Sequence, residues 1–220
     1  LQSPNGKLTV EIETKGQLSY TLKHNSQTLL DKSPIGLLLE DKILGEDIKI
    51  SRIKRNSSVK EHIVSPHYRL PSFEVTYNEL NLKFKGNYGI IFRAYNEGIA
   101  YRFYTTMKGP LIIKDEMVQM NFPKDYPTFM SYSTMPTGED QYAMAFQNLY
   151  TKSSIKGVDT NNIAFLPITI DCGNELKMTL LESDLEDYPG MFIKGDGKNT
   201  SLQGTFAPVS YTHLTLPTIR

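Results

Sequence analysis

The chain has 220 residues, which is long enough to bury a sizeable core in one large all-β domain or two smaller ones. Lysine plus arginine number 24, as do aspartate plus glutamate, so the formal net charge is zero. Nucleic acid and anionic membranes favour a basic excess and are therefore not expected as partners, and the single cysteine, Cys172, excludes an internal disulfide.

Short alternating segments separated by turn residues fill the first forty positions. Residues 7–13 and 18–23 alternate apolar with polar side chains, and a short strand is predicted to end at Leu29 and Leu30. After Ser33-Pro34-Ile35-Gly36, the apolar run 37–39 is typical of a buried strand. The pattern predicts a β-meander.

Residues 41–59 are charged, and we expect them to be irregular. Four cations lie close together there: Lys49, Arg52, Lys54 and Arg55. One interpretation is an anion-binding patch. The favoured one is an exposed strand and loop, because charge runs usually form solvated faces.

The strand pattern resumes at Ser72. Two β-rich runs, 89–94 and 99–105, flank the turn Asn96-Glu97-Gly98, which is a strong hairpin signal. Arg93 and Arg102 lie on either side of this turn, and cross-strand or surface ion pairs are favoured for them over ligand contacts.

The remaining strands are predicted from apolar runs, and the stretch before them is ambiguous. Aromatic residues with prolines fill 121–136, which fits either sugar stacking or ordinary core packing. Residues 138–150 tolerate helix or the start of a strand. The run 162–170 predicts a strand with a bulge or an unpaired donor at Pro167.

An acidic cluster follows the next strand. Residues 176–181 alternate and predict a strand that ends near Glu182, and a Pro189-Gly190 break comes soon after. Four carboxylates fall within six residues: Glu182, Asp184, Glu186 and Asp187. Oxygen-rich clusters suit a hard cation such as calcium, whereas spacing alone favours a solvated acidic turn.

Two strings resemble those of a known family. ESDLEDYPGMF (182–192) and FRAYNEGIAYRF (92–103) are similar to signatures of the N-terminal domain of glycoside hydrolase family 97, and the opening of the chain resembles the start of that domain. The resemblance covers about residues 3–208. It implies an all-β, two-sheet super-sandwich resembling the mutarotase-like fold, with residues 1–208 as an incomplete N-terminal β-sandwich domain.

This resemblance also implies a function. The chain is expected to form the cleft beside the catalytic (β/α)₈ barrel of an exo-acting α-glucosidase or α-galactosidase, with an α-linked oligosaccharide as substrate and a periplasmic or secreted location. No part of the chain shows the alternating strand and helix of a barrel, so no catalytic residue is assigned and the chain alone is expected to be inactive. No substrate-binding residue is assigned either.

Calcium is the implied cofactor of the parent enzyme, with Glu182 as the candidate ligand from this domain. The family carries a glutamate at the position of Gln147, so a neutral amide here weakens the expected site, and calcium binding by this chain alone is expected to be weak or absent. Two alternatives stay open: a non-catalytic carbohydrate-binding or adhesion sandwich, and a mutarotase-like epimerase, which needs a histidine and a carboxylate pair in one cleft.

The chain is expected to be truncated at both ends. The chain begins at Leu1 rather than methionine and shows no signal peptide, and no stretch reaches the roughly 20 apolar residues that span a bilayer. The last twelve residues, VSYTHLTLPTIR (209–220), resemble a translated sequencing adapter. We therefore interpret 209–220 as a non-native tail and leave His213 out of any catalytic argument.

Overall fold

A computed structural model describes residues 1–65, 69–109, 111–135, 139–143, 147–183, 185 and 188–207. Within these ranges the chain forms fifteen strands and two short 3-10 helices, at Glu139–Tyr142 and Ile155–Gly157. The all-β class predicted from the sequence is confirmed. No helix in the described ranges is long and apolar enough to cross a membrane.

The strands follow the turn residues of the sequence. They are β1 (Leu8–Glu13), β2 (Ser19–His24), β3 (Gln27–Leu39), β4 (Ile43–Leu44), β5 (Ile50–Val64), β6 (Ser72–Phe84), β7 (Tyr88–Tyr95), β8 (Ile99–Thr105), β9 (Ile113–Asn121), β10 (Pro127–Tyr132), β11 (Thr151–Ser154), β12 (Ala164–Asp171), β13 (Lys177–Leu180), β14 (Met191–Gly195) and β15 (Ser201–Phe206).

These strands form two antiparallel sheets. The larger sheet has the order β1-β2-β3-β9-β15-β14-β12-β10-β11, with β4 added beside β3 and β13 beside β12. The smaller sheet has the order β5-β6-β7-β8. Most neighbouring strands also follow one another in the chain. Strand β9, in contrast, pairs with two strands that are distant in sequence, β3 and β15.

One core lies between the two sheets. Large apolar side chains of β6 to β8 meet those of β1 to β3 and β9 within a single buried cluster. The rings of Tyr20 on β2 and Phe92 on β7 lie 6.1 Å apart, which joins the two layers directly. The inner face of the small sheet is almost fully covered: Ile90 and Phe92 are each 0% exposed. The architecture is therefore the predicted two-sheet sandwich.

The third strand is much longer than predicted. The expected end at Leu29 and Leu30 is wrong, because β3 runs for 13 residues from Gln27 to Leu39 and includes Pro34. Lys32 adopts a φ of 38° in a bulge against β2, and Pro34 lies where pairing passes from β2 to β9. A proline is tolerated where a ladder is interrupted in this way.

The predicted irregularity of residues 41–59 is also wrong beyond residue 49. Strand β5 pairs with β6 along its whole length, with register shifts at 50–52 and at 56–59, where Ser58 has a φ of 53°. The favoured exposed location is confirmed, since every described side chain of β5 is exposed or only partly buried. Lysines and arginines on an edge strand also hinder pairing with other chains.

Candidate functional site

Glu182 lies just past the end of β13, where the sequence places it. Its Oε2 atom accepts the backbone N–H of Met191 at 2.9 Å, so the side chain bridges the two ends of the segment 182–191, which we call the acidic loop. A Cβ atom on Gly190 would lie 3.3 Å from Glu182 Oε1, which places the carboxylate against the backbone there. Asp184, Glu186 and Asp187 lie outside the described residues.

A second carboxylate lies near the acidic loop. Glu116 is on β9, on the same side of the strand as the buried Val118 and Met120, so its side chain extends toward the interior of the sandwich. Tyr188 of the acidic loop donates its hydroxyl hydrogen to Glu116 Oε2 at 2.6 Å. The ring of Tyr188 packs edge-on against Phe206 of β15, with 6.3 Å between centroids. These contacts hold Tyr188 against β9 and β15, two central strands of the large sheet.

Electrostatics at this site disfavour negative charge. Burial raises the pKa of Glu116 from 4.5 to about 7, against the lowering effect of the Tyr188 hydrogen bond, and the charges of Asp115 and Glu182 raise it further. Burial likewise raises the pKa of Glu182, while the hydrogen bond from Met191 lowers it. The pKa of Tyr188 is raised by burial and by Glu116. A cation placed here would relieve this cost.

Gln147, the other predicted site residue, lies in the segment that precedes β11. Tyr150, three residues after it, donates its hydroxyl hydrogen to the carbonyl of Pro167 at 3.1 Å. Leu180, two residues before Glu182, pairs with Ile168. Gln147 is exposed. Asn148, next to Gln147, contacts Tyr132 of β10 on one side of β12, whereas Glu182 lies between β13 and β14 on the other side.

The described side chains do not by themselves form a calcium site. Among the described residues, no three His, Cys, Asp or Glu side chains lie close enough together to hold a metal ion. The Oε2 atom of Glu182 accepts the N–H of Met191 and the carboxylate is partly desolvated, so its donor chemistry fits a single calcium ligand. Calcium takes six to eight oxygens, so Glu182 alone does not make a site.

The two arginines beside the β7–β8 turn differ in their surroundings. Arg93 Nε lies 3.0 Å from Glu79 Oε2, its Nη1 lies 3.4 Å from Glu61 Oε2, and its guanidinium lies over the ring of Tyr77. The predicted cross-strand ion pair is confirmed for Arg93. Arg102 is exposed on the same outer face of the small sheet.

The proline-rich aromatic stretch is mainly structural. Phe122 and Tyr126 are buried in the core and contact each other edge to face, with 6.5 Å between ring centroids. Tyr132 is only partly buried, and its hydroxyl accepts the backbone N–H of Asp159. Core packing is therefore the confirmed interpretation for Phe122 and Tyr126, the two rings that precede β10.

The described histidines lie away from the two carboxylates. His62 on β5 contacts Glu74 on the neighbouring strand, and His24 lies at the β2–β3 turn. Neither contacts Glu116 or Glu182. The histidine and carboxylate pair that a mutarotase-like epimerase needs is thus not found in the described part of the chain.

Sequence reasoning missed Glu116 because it missed β9. A signal was present: Val118, Met120 and Phe122 alternate, and Glu116 extends the same phase toward the N-terminus. A charged residue at a core-facing position breaks the apolar pattern. Such a break is itself an indication of function, since buried charges are rare unless they are paired.

Comparison with known proteins decides the family. The model of the family described as Glycosyl-hydrolase 97 N-terminal matches residues 1–216. The chain belongs to this family. The match extends eight residues past Pro208, and the interpretation of 209–220 as a non-native tail stays a prediction.

Individual relatives agree with this assignment. The chain is 35% identical over 214 residues to a retaining alpha-galactosidase from Bacteroides thetaiotaomicron, an alignment that covers 94% of this chain and 32% of that relative. A glycoside hydrolase family 97 enzyme from Pseudoalteromonas sp. strain K8, solved with acarbose, has a TM-score of 0.78 at 16% identity, covering 94% of this chain and 31% of that one.

A solved beta-arabinopyranosidase has a TM-score of 0.79 at 17% identity, covering 93% of this chain and 35% of that one. At these identities the two solved structures establish the shared fold. The chain therefore spans about a third of the length of the relatives it matches. Within the described residues it forms the β-sandwich of this family and shows no (β/α)₈ barrel.

Proposed function

We propose that this domain forms one side of the active-site cleft of an α-galactoside hydrolase and contributes Glu182 to a calcium site shared with the catalytic barrel. The observation that carries the proposal is the 35% identity to a retaining alpha-galactosidase over nearly the whole chain. The position of Glu182 supports it, because a partly buried carboxylate just past a strand end can face a neighbouring domain.

Calcium bound there would neutralise adjacent carboxylates and join the two domains. Glu182 would supply an oxygen from this domain, and Gln147 would supply a neutral amide oxygen where the family has a glutamate. A charged ligand attracts the ion more strongly than an amide. The site in this protein is therefore proposed to be weaker than in relatives that keep the glutamate.

Calorimetry on the full-length protein tests the calcium proposal. We expect Glu182→Gln to weaken calcium binding by about tenfold or more, as loss of metal-site contacts commonly does. Gln147→Glu should tighten binding. Glu74→Gln, an exposed carboxylate beside His62, is the matched control and should leave affinity unchanged. If calcium affinity is unchanged in both Glu182→Gln and Gln147→Glu, neither residue is a calcium ligand.

Substrate class is tested on the same full-length protein. We expect faster hydrolysis of an aryl α-galactoside than of the matching aryl α-glucoside, and the reverse order would assign the parent to the α-glucosidases. α-Linked oligosaccharides would be the natural substrates, and a periplasmic or secreted location would give access to them. Detection of the protein only in the cytoplasmic fraction of its source cells would contradict that location.

A further inference from the structure

We propose that Glu116 is a positioning residue, which holds Tyr188 and thereby fixes residues 188–191, so that the N–H of Met191 keeps the carboxylate of Glu182 in place. The inference rests on the proposed function of Glu182 but adds a residue to the site. Glu116 lies 66 positions before Glu182 in the chain and belongs to β9, a strand that was not predicted from the sequence.

The geometry of the loop carries the first step. Glu182 ties the start of the loop to its end through the N–H of Met191, at 2.9 Å. The position of the Glu182 carboxylate therefore depends on where the N–H of Met191 lies. The residues just before Met191 need a fixed point of their own to hold that N–H in place.

Tyr188 supplies that second point. Its hydroxyl reaches β9 at 2.6 Å, and its ring packs on Phe206 of β15. Since β9 and β15 are neighbours in the large sheet, Tyr188 is held by two adjacent central strands. Tyr188 is therefore fastened to the large sheet three residues before Met191.

An acceptor oxygen at residue 116 carries the next step. The Tyr188 hydroxyl donates to Glu116 Oε2 at 2.6 Å, and a side-chain amide oxygen at the same position can accept the same hydrogen bond. Replacement of Glu116 by glutamine should therefore keep Tyr188 in place, whereas removal of the acceptor should release it.

The test uses the full-length protein with four variants. Tyr188→Phe removes the donor but keeps the ring, Glu116→Ala removes the acceptor, and Glu116→Gln keeps an acceptor oxygen. Tyr104→Phe is the matched control, because it removes a tyrosine hydrogen bond of 2.7 Å, to Asn81 on the outer face of the small sheet. Hydrogen exchange at residues 188–193 without calcium is measured first, and calcium affinity second.

We expect exchange in 188–193 to accelerate about tenfold in Tyr188→Phe and Glu116→Ala, and to stay within twofold of wild type in Glu116→Gln and Tyr104→Phe. Calcium affinity should fall threefold or more in the first two variants only. Unchanged exchange in Tyr188→Phe overturns the proposal. Loss of affinity in both Glu116→Ala and Glu116→Gln, with none in Tyr188→Phe, also overturns it, because Glu116 would then contact the ion itself.

Failure of the underlying function gives a different result. If Glu182→Gln leaves calcium affinity unchanged, the calcium role of Glu182 is wrong. The exchange measurement still decides whether Glu116 and Tyr188 position the loop, because it is made without calcium. Suppose instead that Glu182→Gln abolishes calcium binding, while Tyr188→Phe changes neither hydrogen exchange at 188–193 nor calcium affinity. Only the positioning role is then wrong.

Discussion

Glu116 combines two demands that normally conflict, a core-facing position and an ionisable group. Burial raises its pKa to about 7, so between pH 4.5 and 7 the folded protein holds a proton there that the unfolded chain, with a carboxyl pKa near 4.5, has released. Below pH 4.5 the group is protonated in both states and carries no cost. Between pH 4.5 and 7 the cost of burial grows, and above pH 7 it is constant.

The pH dependence of stability should reveal this group. We expect Glu116→Gln to stabilise the protein relative to wild type as the pH rises from 4.5 to 7.5, by on the order of 2–3 kcal/mol, because the amide never ionises. Urea denaturation of both proteins in calcium-free buffer at several pH values measures the difference. If that difference in free energy of unfolding stays constant with pH, Glu116 does not titrate near pH 7.

At the scale of elements, the hairpins were predictable because their turn residues carry backbone preferences of their own. Gly86 and Asn87 adopt φ values of 96° and 63° between β6 and β7, which these residue types tolerate best. Strand β9 and the course of β3 past Leu30 were not predictable in this way. Both depend on pairing between distant segments, as in Ile35 with Val118.

The candidate site divides along the same line. Glu182 was found because it lies in a recognisable string at the end of an alternating strand. The contact between Tyr188 and Glu116 joins residues 72 positions apart. No local pattern specifies such a contact, because it depends on the order of β9, β15 and β14 in the large sheet.

Strand β14 meets a neighbouring turn so closely that only glycine fits at Gly195. A Cβ atom there would lie 2.3 Å from the carbonyl oxygen of Val158, and the N–H of Gly195 donates to Asp159 at 2.9 Å. We expect Gly195→Ala to destabilise the protein by about 1–3 kcal/mol through overpacking. The free energy of unfolding in urea measures this effect.

Gly98 is the matched control for that substitution. Nothing lies within 4 Å of a Cβ atom added at Gly98. Gly98→Ala should therefore change the free energy of unfolding by no more than about 0.5 kcal/mol. Equal effects of the two substitutions would show that the contact between β14 and the 155–159 turn is looser than described.

At the scale of the whole molecule, the two sheets contribute differently to the core and to the proposed site. The small sheet contributes its inner face to the core, and its outer face is held by contacts such as Arg93 with Glu79. The large sheet carries both Glu116, on a central strand, and the segment that leads into the acidic loop. The residues of the proposed site thus extend from the layer with the most strands, and sites built on strands are held more precisely than sites on loops.

The 220-residue chain should show no glycosidase activity by itself. A glycosidase needs two carboxyl groups about 5–9.5 Å apart, free to act on either side of one sugar bond. Glu116 and Glu182 are the pair at the acidic loop, but each is engaged, the first by Tyr188 and the second by Met191. Assays of the purified chain with aryl α-galactoside and aryl α-glucoside should stay at the level of buffer, while the full-length protein is active. Hydrolysis by the chain that disappears in Glu182→Gln would instead place a catalytic centre within this domain.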